Sequence, residues 1–365
     1  MTSDIDRPAR MRDVDTDALR GGLARRTSDH EFSGVALAWR EGQPVFSFSG
    51  GLAHRGHGVP VTEATRFAVA SITKMVTATA ALRLVERGML RLDQPLVEVL
   101  PAEQRPAALT REHTLHHLLS HTSGLTNYHD DDDKTWTSYT SCWDRIPTYH
   151  IRRTADMLPL FADLPASAPP GTRYRYADAN YILAGLVVEA ATGQTFADIA
   201  AEEVIRPAGM VDTAIEALDT EPARLATGYY VSDEPADSWR TSIYGVPAVG
   251  MPDGGMITTA PDLARLVDAL LGTSLLSPQM AAAMMTPQGP PLDDLEQYGY
   301  GCELVVENGE VTIIGHGGSD PGVSALVSHH RRAATTIVVL CNYDRGSWAA
   351  TQLIEAALGL ADPRT

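Results

Sequence analysis

Lysine is almost missing from this chain: of the 29 basic residues among 365, only Lys74 and Lys134 are lysine and the rest are arginine. A guanidinium does not deprotonate in a protein, so nearly all amine chemistry available to the chain rests on two positions. Cysteine is scarce too. Cys142, Cys302 and Cys341 are odd in number and far apart, which argues against a disulfide framework and suits free thiols in a reducing compartment. Positive charge is in deficit, 46 acidic residues against 29 basic giving a formal net charge of −17, and this argues against nucleic acid or an anionic membrane surface as partner. No apolar run is long enough to span a membrane, and residues 1 to 30 are polar and mixed in charge with no apolar leader-like stretch, so the expected location is the cytoplasm.

What is present suffices for a large core, since 44% of the residues are hydrophobic. Residues 1–30 read as a polar segment with an amphipathic helix over 14–28. Ser33 to Arg40 and Val45 to Ser49 read as two strands around a tight turn at Glu41-Gly42-Gln43-Pro44. Ile72 to Leu84 is almost wholly apolar or small and is followed by Gly88, which predicts a helix wrapped on all sides. The middle of the chain carries helical patterns, including Thr110 to Ser120 and Asn180 to Thr192. Strand signals return at 301–306, 311–314, 323–327 and 335–340, before a last helix at 348–358. The expected fold is therefore α+β, with an antiparallel sheet built from both chain ends and flanked by helices. Residues 31–90 and 241–365 would form that sheet lobe, residues 91–240 a mainly helical lobe, and the site would lie between them.

The stretch Phe67-Ala68-Val69-Ala70-Ser71-Ile72-Thr73-Lys74 enters the apolar helix with one of the two lysines. On a helix, residues three apart lie on one face roughly 5.4 Å along the axis, so the Ser71 hydroxyl and the Lys74 ammonium can meet. The unpaired N–H groups of a first helical turn also stand where an acyl oxyanion needs donors. These residue types at this spacing point to a serine nucleophile with an amine beside it. Ser and Lys three apart also occur by chance.

Further stretches narrow the reading. Thr65 to Lys74, His117-Leu118-Leu119-Ser120-His121-Thr122-Ser123-Gly124-Leu125, and Pro170-Gly171-Thr172-Arg173-Tyr174-Arg175-Tyr176-Ala177-Asp178-Ala179-Asn180-Tyr181 follow one another in order. Gly254-Gly255-Met256 before Ala260-Pro261-Asp262-Leu263, and Gly315-His316-Gly317-Gly318 before Pro321-Gly322, come after them. Together these resemble the serine β-lactamase and penicillin-binding protein superfamily, in its class C-like branch, over residues 30 to 358. The resemblance implies a sheet-plus-helical-lobe fold and acyl transfer through a serine ester, as in β-lactamases, D-alanyl-D-alanine carboxypeptidases, D-amino-acid peptidases and carboxylesterases. It implies Ser71 as nucleophile, Lys74 as its partner and Tyr176 as the phenol that shuttles the proton. It further implies an oxyanion hole from the N–H groups of Ser71 and Ser319, with Asp178, His316, Gly317 and Gly318 supporting the substrate.

Two departures from the pattern shape the expected activity. Asp178 stands where much of the branch has asparagine, so a side-chain N–H donor to an amide is missing. His316-Gly317-Gly318 stands where many β-lactamases have Lys-Thr-Gly, and histidine there is similar to esterases and some peptidases of the branch. His316 is expected on the strand edge facing Ser71, its charge helping to hold a substrate carboxylate or to steer the Tyr176 proton. The expected function is a metal-independent serine hydrolase of small-molecule esters, or secondarily amides, with no cofactor. A D-amino-acid peptidase, a D-alanyl-D-alanine carboxypeptidase, a β-lactamase, an acyltransferase and a penicillin-binding sensor that does not turn over remain alternatives, and the oligomeric state is open. His113 and His117 stand at zinc-ligand spacing, but the acid of a His-Glu-x-x-His pattern is missing. Asp130-Asp131-Asp132-Asp133-Lys134 reads as solvated loop. The aromatic residues Trp136, Tyr139 and Trp143 after it read equally as a rim over the site or a local packed core.

Overall fold

Strands from the two ends of the chain meet in one sheet, and the two that join the ends, Gly34–Arg40 and Thr335–Cys341, are apolar on both faces. In β1 (Gly34–Arg40), Val35, Leu37 and Trp39 face one core while Ala36 and Ala38 face another, the period of two that a fully covered strand requires. The computed structural model describes residues 16–129, 137–232, 238–272, 274–293, 295–360 and 362–364. After β1 come β2 (Gln43–Gly50), β3 (Glu296–Tyr298), β4 (Glu303–Glu307), β5 (Glu310–Asp320), β6 (Val323–His330) and β7 (Thr335–Cys341). They form a seven-stranded antiparallel sheet in the order β2-β1-β7-β6-β5-β4-β3, with Val35 opposite Leu340 and Gly318 opposite Ala325. The fold is thus the expected α+β arrangement of one antiparallel sheet from both chain ends, helices against it, and a largely helical middle.

On one face of the sheet, α1 (Thr16–Ser28) brings Leu19 and Leu23 against Ala350 and Ile354 of α5 (Ser347–Leu358). On the other face lie α2 (Thr73–Glu86), α3 (Asp178–Thr192) and α4 (Ala260–Leu271). Every residue of α2 from Thr73 to Leu82 is buried, as its run of apolar and small side chains predicts. One continuous apolar cluster joins sheet residues such as Val35 and Val338 to helical ones such as Leu186 and Leu263, so the helical middle is packed onto the sheet rather than beside it. Among the described residues no single helix is long and apolar enough to cross a membrane.

The elements differ from the sequence reading where side chains or short pairings intervene. The helix expected from Thr110 to Ser120 is only Leu115–Leu119. Thr110 N–H donates to His113 Nδ1 at 3.1 Å and Thr114 N–H to His117 Nδ1 at 3.2 Å, so these histidines close a turn and cap a helix start. The strand expected at 311–314 runs on to Asp320 and so carries His316 to Ser319 along its edge. A hairpin of Tyr229–Ser232 with Ser238–Thr241 lies within the stretch read as helical. Phe67–Ala68 pairs with Ile257–Thr258, two residues against two, too short to show a period. Residues 1–15, the acidic run Asp130 to Lys134 and Trp136 lie outside the described residues.

Candidate active site

The backbone around Ser71 is held in an unusual shape. Ser71 lies in a 3₁₀ turn, Ala70–Ile72, that leads into α2, and Ala70 before it has φ +44°, a conformation costly for a residue with a Cβ. Surrounding bonds fix the turn. Val69 N–H donates to Met256 O at 3.1 Å, Thr73 Oγ1 donates to Ala70 O at 2.7 Å, and Met256 N–H donates to Thr73 Oγ1 at 3.0 Å. On the sheet side, a Cβ at Gly318 would fall 2.1 Å from Val69 O, so only glycine lets β5 lie against this turn.

Behind the half-buried Ser71, Lys74 is fully buried. Its ammonium has three donors and three acceptors: Ser71 Oγ at 2.8 Å, Asp178 Oδ1 at 2.5 Å and the carbonyl of Asp253 at 2.7 Å. The rings of Tyr176 and Tyr181 flank it at 5.0 and 5.7 Å. A buried charge needs this degree of pairing, and the pairing also fixes Nζ beside the serine oxygen.

Asp178 spends both oxygens, one on Lys74 and the other accepting from His129 Nε2 at 2.7 Å. Burial alone would raise its pKa, but Lys74 and His129 pull the carboxyl well below the usual carboxylate range. Two further carboxyls move the other way. Asp253 is pushed up to about 6 by burial and by the Asp178 charge, and its Oδ2 accepts from Tyr128 OH at 2.6 Å. Asp320 is pushed up to about 7 by burial and by Asp178 and Asp253, and it accepts from Tyr139. Three carboxyls around one ammonium thus divide into one firmly ionised and two poised near neutrality.

Ser71, Tyr176, Asp178, Gly317, Gly318 and Ser319 all border one cavity of about 1090 Å³. Tyr176 stacks on His121, ring centroids 4.3 Å apart. His121 is fully buried, and its Nδ1 accepts from Ala177 N–H at 3.2 Å and from Asn180 Nδ2 at 3.3 Å, which ties the loop from His117 to Leu125 to the segment carrying Tyr176. Burial drives the His121 pKa well below its ordinary value, so the imidazole is a neutral platform.

His316 departs from its expected place. It is buried beneath the strand edge and is not among the residues bordering the cavity; its ring lies 6.4 Å from that of Tyr176. Because a carbonyl only accepts, the 2.6 Å contact to Gly317 O places the proton on Nδ1, and Nε2 accepts from Tyr298 OH at 3.0 Å. Burial lowers its pKa, and both bonds suit the neutral ring. At this edge Glu303 and Asp320 both bring carboxyls to the cavity, and Glu303 accepts from Gly317 N–H at 3.1 Å.

Sequence reasoning missed Glu303, Asp253, Asp320, Tyr128, His129 and Tyr298. Asp253 contributes a backbone carbonyl, which leaves no trace in residue type, while Asp320 adjoins the Gly317-Gly318-Ser319 stretch already singled out and was within reach. Among the described residues no group of His, Cys, Asp or Glu is arranged to hold a metal ion.

Known proteins resemble the chain in sequence and in fold. The sequence profile of the Beta-lactamase family matches residues 17–361. Penicillin-binding protein 4 of Amycolatopsis lactamdurans is 29% identical over 95% of this chain and 92% of its own. Esterase EstB of Burkholderia gladioli is 37% identical over 54% of this chain and 50% of its own. Among solved structures, a penicillin binding protein from Bacillus halodurans superposes with a TM-score of 0.84 at 36% identity, covering 91% of this chain and 98% of that one.

Proposed function

The chain belongs to the β-lactamase family, and from that premise we propose that it is a serine hydrolase that forms an acyl-enzyme on Ser71 and releases the acyl group to water, cleaving esters in preference to amides. The observation that carries this reading is the Lys74 ammonium 2.8 Å from Ser71 Oγ at the wall of a cavity large enough for a small-molecule substrate.

Lys74 donates to Ser71 Oγ in the resting site and its other donors are taken, so the serine proton needs a second acceptor. Tyr176, its ring 5.0 Å from the ammonium, takes that role, since a nearby positive charge favours phenolate. Ser71 Oγ attacks the acyl carbon, its proton passes to Tyr176, and the tetrahedral oxyanion is held by the N–H groups of Ser71 and Ser319. Tyr176 then returns the proton to the departing alkoxide as the acyl–oxygen bond breaks. Water repeats the sequence on the acyl-enzyme. Asp178 offers no N–H to an amide substrate, and both of its oxygens are engaged, which supports ester over amide.

Intact-mass measurement after treatment with a fluorophosphonate tests the nucleophile. Wild type is expected to gain one adduct and Ser71→Ala none, and normal labelling of the variant would refute the assignment. Steady p-nitrophenol release from a short acyl ester is expected of the hydrolase, whereas a single stoichiometric burst would mark a protein that is acylated without turnover.

A further inference from the structure

The sheet presents half of one strand to the cavity unpaired. On its outer side β5 pairs with β4 only from Glu310 to Gly315, Gly315 facing Glu303, while His316 to Asp320 pair with β6 alone. A free edge of β5 therefore begins where β4 ends, and it runs past the 3₁₀ turn that bears Ser71. The Gly317 and Ser319 N–H groups, two residues apart, point the same way along a strand. Gly317 N–H is already taken by Glu303 Oε2 at 3.1 Å, which leaves the next donor, Ser319 N–H, to the acyl oxygen in the mechanism above.

Glu303 thus stands at the near end of that edge. A Cβ built on Gly317 would be 3.9 Å from each Glu303 carboxylate oxygen, so the charge overhangs the strand at the start of the free edge. Its side chain is 43% exposed and borders the cavity with Ser71, Tyr176 and Ser319. No described cation cancels it. His316 Nδ1 is 3.5 Å away, but its proton is donated to Gly317 O and the ring is neutral. Arg364 feels the Glu303 charge but bonds Asp362 and pairs with Glu296. Lys74 is buried with its donors spent, and no lysine or arginine is among the described residues bordering the cavity.

We propose that Glu303 sets the charge specificity of the Ser71 cavity. Its carboxylate excludes substrates that carry a negative charge about 7 Å from the acyl oxygen, two residues along a strand, and admits neutral or cationic ones. This rests on the serine-hydrolase reading, and it reverses the expectation that the edge would hold a substrate carboxylate through His316.

The test uses two p-nitrophenyl ethyl alkylphosphonate diesters, uncharged at phosphorus and of equal chain length, one ending in a carboxylate and one in its methyl ester; Ser71 displaces p-nitrophenolate, and its labelling is followed by intact mass at low salt. Labelling needs no turnover, so it reads charge selection apart from hydrolysis. The neutral reagent is expected to label wild type at least about 10-fold faster, a difference that shrinks in 0.5 M salt because the carboxylate is half exposed to solvent. Glu303→Gln, which keeps an acceptor for Gly317 N–H, is expected to bring the two rates together by accelerating the anionic reagent, and Glu303→Lys to reverse their order. A gain for one reagent cannot come from a damaged fold. Equal rates in wild type, or an unchanged ratio in Glu303→Gln, would overturn the proposal while leaving the hydrolase reading intact. Failure of both reagents to label Ser71 would overturn both.

Discussion

At the scale of single residues, the site depends on one amine whose three hydrogen bonds are all satisfied. Lys74→Arg keeps the charge, yet a planar guanidinium cannot fit acceptors that converge on one nitrogen at 2.5 to 2.8 Å, so Ser71 Oγ loses the donor that places it beside Tyr176. The variant is expected to lose at least about 100-fold in kcat/KM on a neutral ester, the span typical of general acid–base contributions. Turnover near wild type would show that a positive charge alone, without three acceptors converging on one nitrogen, is enough for catalysis. Asp178→Asn changes the balance rather than removing it: the amide offers N–H groups to the cavity, while Lys74 loses its ionised partner. Ester hydrolysis is expected to fall and the amide-to-ester ratio to rise, measured on matched p-nitrophenyl ester and p-nitroanilide substrates. An unchanged ratio would show that the carboxylate does not select between them. The scarcity of lysine made Lys74 conspicuous in the sequence, whereas Glu303 is one of 46 acidic residues and only strand register sets it apart.

At the scale of elements, the site is a contact between one strand and one turn, and glycine sets how close they come. A Cβ on Gly318 would overlap Val69 O, whereas one on Gly317 would meet nothing nearer than 3.9 Å. Gly318→Ala is therefore expected to cost about 1–3 kcal/mol as overpacking and to lower kcat by displacing Ser71 from β5, with little change in Tm for Gly317→Ala. Equal Tm values for the two variants would contradict the close approach. The long elements were legible because their patterns repeat: α2 is mostly apolar or small, and β7 is rich in Val, Ile and Thr. The devices that shape the site were not. The pairing of Phe67–Ala68 with Ile257–Thr258 and the carbonyl of Asp253 act through backbone atoms, which any residue supplies. His113 and His117, which resemble metal ligands in spacing, instead close a turn and cap a helix start.

At the scale of the whole molecule, composition and structure give opposite expectations for acid. A formal charge of −17 and an isoelectric point near 5.0 imply that lowering the pH relieves self-repulsion and stabilises the fold. Burial implies the reverse. His113, His116, His117, His121, His316 and His329 all have pKa values lowered by burial, His117 and His329 to about 4. A histidine depressed in the folded state stabilises above its unfolded value near 6.5, and that contribution is lost as the pH falls toward the folded value. Asp253 and Asp320, raised to about 6 and about 7, act oppositely, stabilising at low pH and losing that contribution as the pH rises through those values. Burial also raises Glu189 and Asp344, so near pH 5.5 unfolding takes up protons on six histidines against release from four carboxyls, and with uptake in the majority stability rises with pH. Tm is expected to climb from pH 5.0 to pH 6.5, and to keep that slope in 0.5 M salt, because screening weakens surface repulsion far more than the cost of charging a buried ring. A Tm highest at pH 5.0 at low salt, with the preference erased by salt, would show that net charge outweighs the buried histidines.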